Sequence, residues 1–291
     1  VTTDADKDGI YNACLHYGWI KERYLLALDM DGTLLKSDKT ISPNTSTSLN
    51  EASNRGQSIC LCTGRGLAEL KDYEGELDFC DYGILLSGCL IYDFKNDQPL
   101  EVHSFDTDVF TQMMDVVKKE DVMLYLLDSS HSIASQKDVE NMPYYNMAIY
   151  QSMFESRAFI VEDIYEYAEV HKDEILKFCL YNPSVDAMNQ LLKKLEVFPV
   201  SCAVVEATAI EVTPLGITKG AGLEFLSSYL NIPIENTVMM GDSGNDIEAF
   251  QSAGKAIAMG NATEEIKKLA TEITLDNDHD GIKVIVDKYL L

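Results

Sequence analysis

Residues 24–33 read Tyr24-Leu-Leu-Ala-Leu-Asp29-Met-Asp31-Gly-Thr33, an unbroken apolar run that stops abruptly at two acids, a glycine and a threonine. Continuous rather than alternating apolarity belongs to a strand covered on both faces, as in a parallel sheet flanked by helices. Two carboxylates two residues apart at a strand end repel each other, a cost that falls when a cation lies between them. A plain turn accounts for the glycine but not for the second acid.

The same alternation continues outward. Ser42-Pro43 opens a helix that runs to about Asn54 and stops at Gly56. A second buried strand, Ser58 to Cys62, ends in Thr63-Gly64-Arg65, and a further helix begins near Leu67. Strand, helix, strand, helix at this spacing indicates a doubly wound, Rossmann-like α/β domain. After Tyr82 to Leu86 the pattern changes. Residues 87–211 mix short strands (Val122 to Leu127, Leu176 to Leu180, Val200 to Val205) with amphipathic helices over Asp106 to Lys119 and Ser184 to Leu195. Within them, Ser129 to Asn146 is polar and contains no recognisable core element. Buried-strand runs return from Ile210 onward, at Asn236 to Met240, Lys255 to Met259 and Glu272 to Leu275. The expected organisation is therefore an α/β core formed by residues 1–86 and 212–291, interrupted by an inserted α+β domain over 87–211.

Composition narrows the functional classes. The 291 residues carry 48 acidic against 23 basic side chains, a formal net charge of −25. That balance argues against nucleic acid or an anionic membrane as partner. No apolar run reaches the roughly 18 residues needed to cross a bilayer. The seven cysteines form no CxxC pair and several sit in apolar runs, which suits reduced, buried thiols in a cytoplasmic protein rather than disulfides or zinc.

Four polar clusters follow buried strands or open helices: Asp29-Met-Asp31-Gly-Thr33, Thr63-Gly64-Arg65, Lys219-Gly220 and Gly241-Asp242-Ser-Gly-Asn245-Asp246. In a parallel sheet the ligand crevice lies outside the carboxyl ends of the strands. Asp242 and Asp246 add two acids to that rim, and hard oxygen ligands of this kind suit Mg²⁺ better than Zn²⁺. Thr218 is placed as the N-cap of a helix over Lys219 to Leu230. Lys219 in its first turn opposes the helix dipole, a placement that makes sense if it holds an anion and neutralises nearby acids. Thr63 with the amides of Gly64 and Arg65 supplies further anion donors. A nucleophile, a metal and charge-assisted donors are what phosphoryl transfer requires. Two Asp-rich strings, Asp4 to Gly9 and Asp276 to Gly281, resemble the start of a calcium loop. The first has Leu15 where a bidentate Glu is needed, and turns are the simpler reading of both.

In order and spacing, the four clusters resemble the motifs of the haloacid dehalogenase superfamily. Intervals of 34 residues from Asp29 to Thr63, 156 from Thr63 to Lys219 and 23 from Lys219 to Asp242 are similar to its Cof-like branch, in which a large α/β cap lies between the second and third motifs. Glu211 to Gly220 and Asn277 to Gly281 also resemble that branch, and the likeness runs from about Tyr24 to Leu291. It implies a phosphatase acting on small phosphorylated metabolites, sugar phosphates foremost, with a phosphomutase as alternative. Asp29 would be the nucleophile and Asp31 the general acid and base. Thr63, Gly64, Arg65, Lys219 and Asn245 would hold the phosphoryl group. Mg²⁺ would be bound by Asp29, the Asp31 carbonyl and Asp242, with Asp246 supporting the metal or orienting Lys219. One departure stands out: the branch carries Asn-Gly-Ala where this chain has Ser87-Gly88-Cys89. Val1 to Arg23 has no counterpart. A calcium-binding module with a retired site is a third reading, requiring the motif acids to be dispensable.

Overall fold

The structure, a computed structural model, describes residues 9–17, 22–205 and 207–291; the Asp-rich string at 4–8 lies outside them. Two sheets organise the chain. The larger contains β1 (Leu25–Leu28), β2 (Ser58–Cys62), β3 (Tyr82–Leu85), β4 (Leu90–Asp93) and β5 (Gln98–Val102). The smaller contains β6 (Met123–Leu127), β7 (Ser132–Ser135), β8 (Phe159–Val161), β9 (Lys177–Tyr181), β10 (Val200–Val205) and β11 (Ala209–Pro214). The chain then returns to the larger sheet with β12 (Thr237–Gly241), β13 (Lys255–Ala258) and β14 (Glu272–Ile273), giving the order β14-β13-β12-β1-β2-β3-β4-β5.

β1 lies between β12 and β2, parallel to both, and all four of its residues are buried. This is the two-sided burial expected of an unbroken Leu-Leu-Ala-Leu run. Strand order reverses at this point. From β1 the chain crosses through the helix Pro43–Asn54 to β2 on one side, and from β12 through the helix Ile247–Ser252 to β13 on the other. Right-handed crossovers running in opposite directions put these helices on opposite faces and open a crevice at the β1/β12 carboxyl ends. Asp29 immediately follows β1, and Asp242 immediately follows β12.

The sheets correct three sequence expectations. β4 and β5 pair antiparallel onto β3, so residues 87–102 extend the larger sheet instead of opening the inserted layer. A hairpin of short strands carries no βαβ spacing and was indistinguishable from a change of domain. β11 was expected to begin the return to the core, but it pairs with β9 and β10 in the smaller sheet. The polar stretch 129–146 contains β7, whose four residues are all buried, and a helix over Gln136–Glu140; two serines in a four-residue strand hide its burial. The helix expected from Leu67 ends after Leu70 and continues as a 3₁₀ turn over Lys71–Tyr73.

Alternation governs the smaller sheet. Leu124, Leu126, Phe178, Leu180, Ile210 and Val212 point into one cluster with Phe110 of the helix Thr107–Val117 and Leu191 of the helix Val185–Leu195. Their neighbours Tyr125, Leu127, Lys177, Cys179, Tyr181 and Glu211 face a cavity of about 380 Å³ shared with the larger sheet's loops. No helix among the described residues is long and apolar enough to cross a membrane. All seven cysteines are free thiols.

Candidate active site

The turn after β1 is tight. Leu34 N–H donates to the Asp29 carbonyl at 3.2 Å and Leu35 N–H to the Met30 carbonyl at 2.9 Å. Gly32 sits at φ +80°, and a Cβ there would lie 2.4 Å from an Asp242 carboxylate oxygen. Both conformation and space therefore require glycine, and the close approach brings the loops after β1 and β12 together. Gly241 serves the same purpose: a Cβ at this position would meet Asp246 Oδ2 at 2.3 Å.

Lys219 is the hub. Thr218 caps its helix, its Oγ1 accepting from Ala221 N–H at 3.2 Å. The Lys219 side chain is 1% exposed and Nζ donates at 2.7 Å to both Asp29 Oδ1 and Asp246 Oδ1. Burial alone would lower its pKa, but Asp246 and Asp29 hold it well above the ordinary lysine value. Asp246 uses both oxygens internally. Oδ1 takes Lys219, and Oδ2 accepts the Asp242 and Ser243 N–H groups at 3.1 and 3.3 Å. Asp246 thereby ties the Lys219 side chain to the loop after β12.

Asp29, Asp242 and Asp246 bring carboxylate oxygens within 4.8 Å of one another. Burial pushes the Asp29 carboxyl well above its usual range, opposed by Lys219 and reinforced by Asp246 and Asp242. Burial, followed by Asp246, raises Asp242 to about 6. Asp242 Oδ1 is buried with no hydrogen-bond partner. A buried acceptor without a donor is costly, and one cation relieves both this deficit and the mutual repulsion. Hard, all-oxygen donors fit a divalent metal such as Mg²⁺; Asp29 and Asp242 are the side chains with oxygen atoms available to hold it. The Asp31 carboxylate lies outside this triad.

Asp31 instead receives two cations. Arg65 Nε and Nη2 donate to its two oxygens at 2.7 and 2.8 Å, and Lys39 Nζ donates to Oδ1 at 2.9 Å. Burial would raise this carboxyl, but the bidentate guanidinium and the ammonium overcome it and bring it to about 2. Arg65 therefore reaches the site through Asp31. Thr63 is buried, its Oγ1 accepting from Arg65 N–H at 3.2 Å. Asn245 lines the cavity beside Gly244, its Oδ1 accepting from Ser243 Oγ at 2.9 Å. The structure thus brings Asp29, Asp31, Thr63, Gly64, Arg65 and Asn245 onto one cavity, with Lys219, Asp242 and Asp246 packed around Asp29.

Sequence reasoning passed over several cavity residues. Lys39 lies in a polar loop with nothing to distinguish it from a solvated lysine. Lys177 had a signal: a lone charge inside the apolar run Ile175 to Leu180. Its side chain is 2% exposed and pairs with Glu211 at 2.6 Å. Glu69 joins it from the larger sheet's side, accepting from the hydroxyl of Tyr125 at 3.1 Å. Thr33 Oγ1, from the first motif, is buried without a partner.

Comparison with known proteins agrees with this architecture. The family of haloacid dehalogenase-like hydrolases matches residues 26–285. The 5-amino-6-(5-phospho-D-ribitylamino)uracil phosphatase YitU of Bacillus subtilis is 28% identical over 275 residues, covering 91% of this chain and 97% of its own. Among solved structures, a haloacid dehalogenase-like hydrolase from B. subtilis superposes with a TM-score of 0.80 at 24% identity, over 92% of this chain and 100% of that one. The subclass IIB sugar phosphatase BT4131 gives 0.76 at 21% identity, over 92% and 99%. With nearly its whole length matched by the family and the motif residues gathered at the sheet's switch point, the chain is a member of the haloacid dehalogenase-like hydrolase family.

Proposed function

We propose that this protein is a Mg²⁺-dependent phosphatase of small phosphorylated metabolites, foremost sugar and sugar-alcohol phosphates, working through a phosphoaspartate on Asp29. The observation that carries the reading is the buried Asp29 carboxylate, fixed by Lys219 beside the unpartnered Asp242 oxygen, at one end of a cavity that the smaller sheet closes. Bound metal would screen the negative charge of nucleophile and phosphate at the point of attack.

The chain's own residues divide the work. An Asp29 oxygen attacks phosphorus, and the ester oxygen departs with a proton from Asp31. Water then loses a proton to Asp31 and attacks the phosphoaspartate, releasing inorganic phosphate and restoring Asp29. In the resting site Arg65 and Lys39 hold Asp31 ionised. An incoming phosphate draws those cations to its own oxygens, and Asp31 regains proton affinity. Thr63, the Gly64 and Arg65 amides, Lys219 and Asn245 are the phosphate holders, joined by the Arg65 and Lys39 side chains as these leave Asp31. The name of the relative YitU supports a phosphorylated sugar alcohol, as do the aromatic faces of Tyr125, Tyr181 and Phe154 on the cavity. Free thiols support a reducing, cytoplasmic working place, and the charge of −25 speaks against nucleic-acid or membrane partners. Phosphomutase activity is the alternative, since Asp29 could pass its phosphoryl group to a second hydroxyl.

The test is release of p-nitrophenol from p-nitrophenyl phosphate with and without Mg²⁺. Activity should vanish in excess EDTA and in Asp29→Asn while the variant stays folded. Full activity in either condition overturns the reading.

A further inference from the structure

The half of the cavity facing the smaller sheet carries charges that the chemistry above does not use. Lys177 has three N–H bonds and three acceptors: Glu211 Oε1 at 2.6 Å, the Gly64 carbonyl at 2.9 Å and Ser87 Oγ at 3.3 Å. The Ser87 hydroxyl in turn donates to Glu211 Oε2 at 2.9 Å. Ser87 adopts φ +59° at the position where the resembling branch carries Asn; the shorter side chain satisfies Glu211 and Lys177. Glu69 lies close by. Its Oε2 accepts from Gly66 N–H at 2.8 Å and its Oε1 from the hydroxyl of Tyr125 at 3.1 Å. Both partners are donors, so the carboxyl is held as an acceptor even though burial raises its pKa.

The sum is asymmetric. Among the described residues lining the cavity, Lys39 and Arg65 pair with Asp31 at rest and are committed to the phosphate once it binds, and Lys177 is saturated. No cation remains to meet a second anion on this wall, which adjoins the Gly64 loop and sets two carboxylates against one ammonium. Each of those carboxylates keeps acceptor capacity beyond its present partners. Resting on the phosphatase reading, we propose that Glu69 and Glu211, fixed by Tyr125, Ser87 and Lys177, select phosphomonoesters whose leaving group is uncharged and rich in hydrogen-bond donors, and reject esters bearing a second phosphate or a carboxylate. Hydroxyl or N–H groups of the leaving group donate to these carboxylates, while Tyr125, Tyr181 and Phe154 cover its carbon faces. A second anionic group would be desolvated against like charge. The same wall counts against phosphomutase action, which needs a bisphosphate to enter.

Sorbitol 6-phosphate and 6-phosphogluconate test this directly, being open chains of equal length that differ by a hydroxymethyl against a carboxylate. Wild-type kcat/KM should favour sorbitol 6-phosphate by about tenfold or more, and the gap should persist at high salt, which screens the distant surface charge but not the buried wall. Glu69→Gln, which preserves shape, should narrow the gap at least about threefold, and Glu211→Gln should do the same if it folds. Equal use of the two esters, or a gap unchanged in Glu69→Gln, overturns the inference while p-nitrophenyl phosphate turnover still upholds the phosphatase reading. Loss of all turnover in the wild type would instead sink that reading. The selectivity then has its own readout in calorimetric affinities of Asp29→Asn for the two esters, with the same tenfold preference expected and parity overturning it.

Discussion

The two ends of the cavity are built differently. At the phosphate end, every motif side chain follows a parallel strand by one to five residues or opens the helix after Thr218, and glycines such as Gly32 and Gly241 let the loops touch. On the smaller-sheet side, Tyr125 and Glu211 project from the middle of antiparallel strands and Lys177 from the start of one, one face of an alternating pattern. The first end depends on short strings whose turns and close approaches are set locally. The second depends on which strands pair and in what register. On the proposed reading, chemistry is concentrated in the loops, and selectivity in the sheet together with Glu69 of the helix Leu67–Leu70. Changes at the phosphate end should depress all substrates alike, whereas changes at the wall should alter which substrates are preferred.

The largest expected break of that contrast is Asp29→Asn, which should lower kcat at least about 10⁴-fold for every ester tested. A substrate-dependent loss would mean that Asp29 reads leaving groups. Lys219→Met comes next. Removing the ammonium leaves Asp29 and Asp246 facing each other without a cation in a buried site, and should cost about 3–5 kcal/mol of stability by denaturant titration. Added Mg²⁺ should recover part of the loss if the acids share a cation.

The pH dependence of stability sharpens the metal assignment. Folding raises Asp242 from its ordinary value to about 6, so between pH 4 and 6 the folded protein binds more protons than the unfolded chain. Metal-free protein should therefore lose stability as pH rises through that window, by about 1–2 kcal/mol from this group. Saturating Mg²⁺ should flatten or reverse the slope, as read by melting temperature. Asp31 works in the opposite sense: its contribution is present above its ordinary pKa and disappears as pH falls toward 2.

The smallest effect concerns the global charge. A surface at −25 does not steer an anionic substrate inward. Moderate salt at saturating Mg²⁺ should raise kcat/KM or leave it unchanged, by less than about threefold, as the repulsion is screened. A steep fall would show that long-range attraction, rather than the local cations, brings substrate in.

The difference between the two ends also explains what could be read in advance. The Leu-Leu-Ala-Leu run of β1, the pairing of acids at 29 and 31, and the string from Gly241 to Asp246 announce a switch-point crevice because their constraints are local. The β4–β5 hairpin, the buried Ser132-Ile-Ala-Ser135 strand and the partnership of Lys39 with Asp31 do not, since each is fixed by tertiary pairing. Lys177 falls between these cases: its burial is visible as one charge in an apolar run, but Glu211, Gly64 and Ser87 as its acceptors emerge only when two sheets meet.

The most direct test of the central claim is a rapid acid quench of wild-type protein turning over p-nitrophenyl phosphate with Mg²⁺, followed by peptide mass spectrometry. One phosphoryl group is expected on the peptide containing Asp29, located on that residue and absent in Asp29→Asn. A phosphoryl group on another side chain, or full turnover by Asp29→Asn, would contradict it.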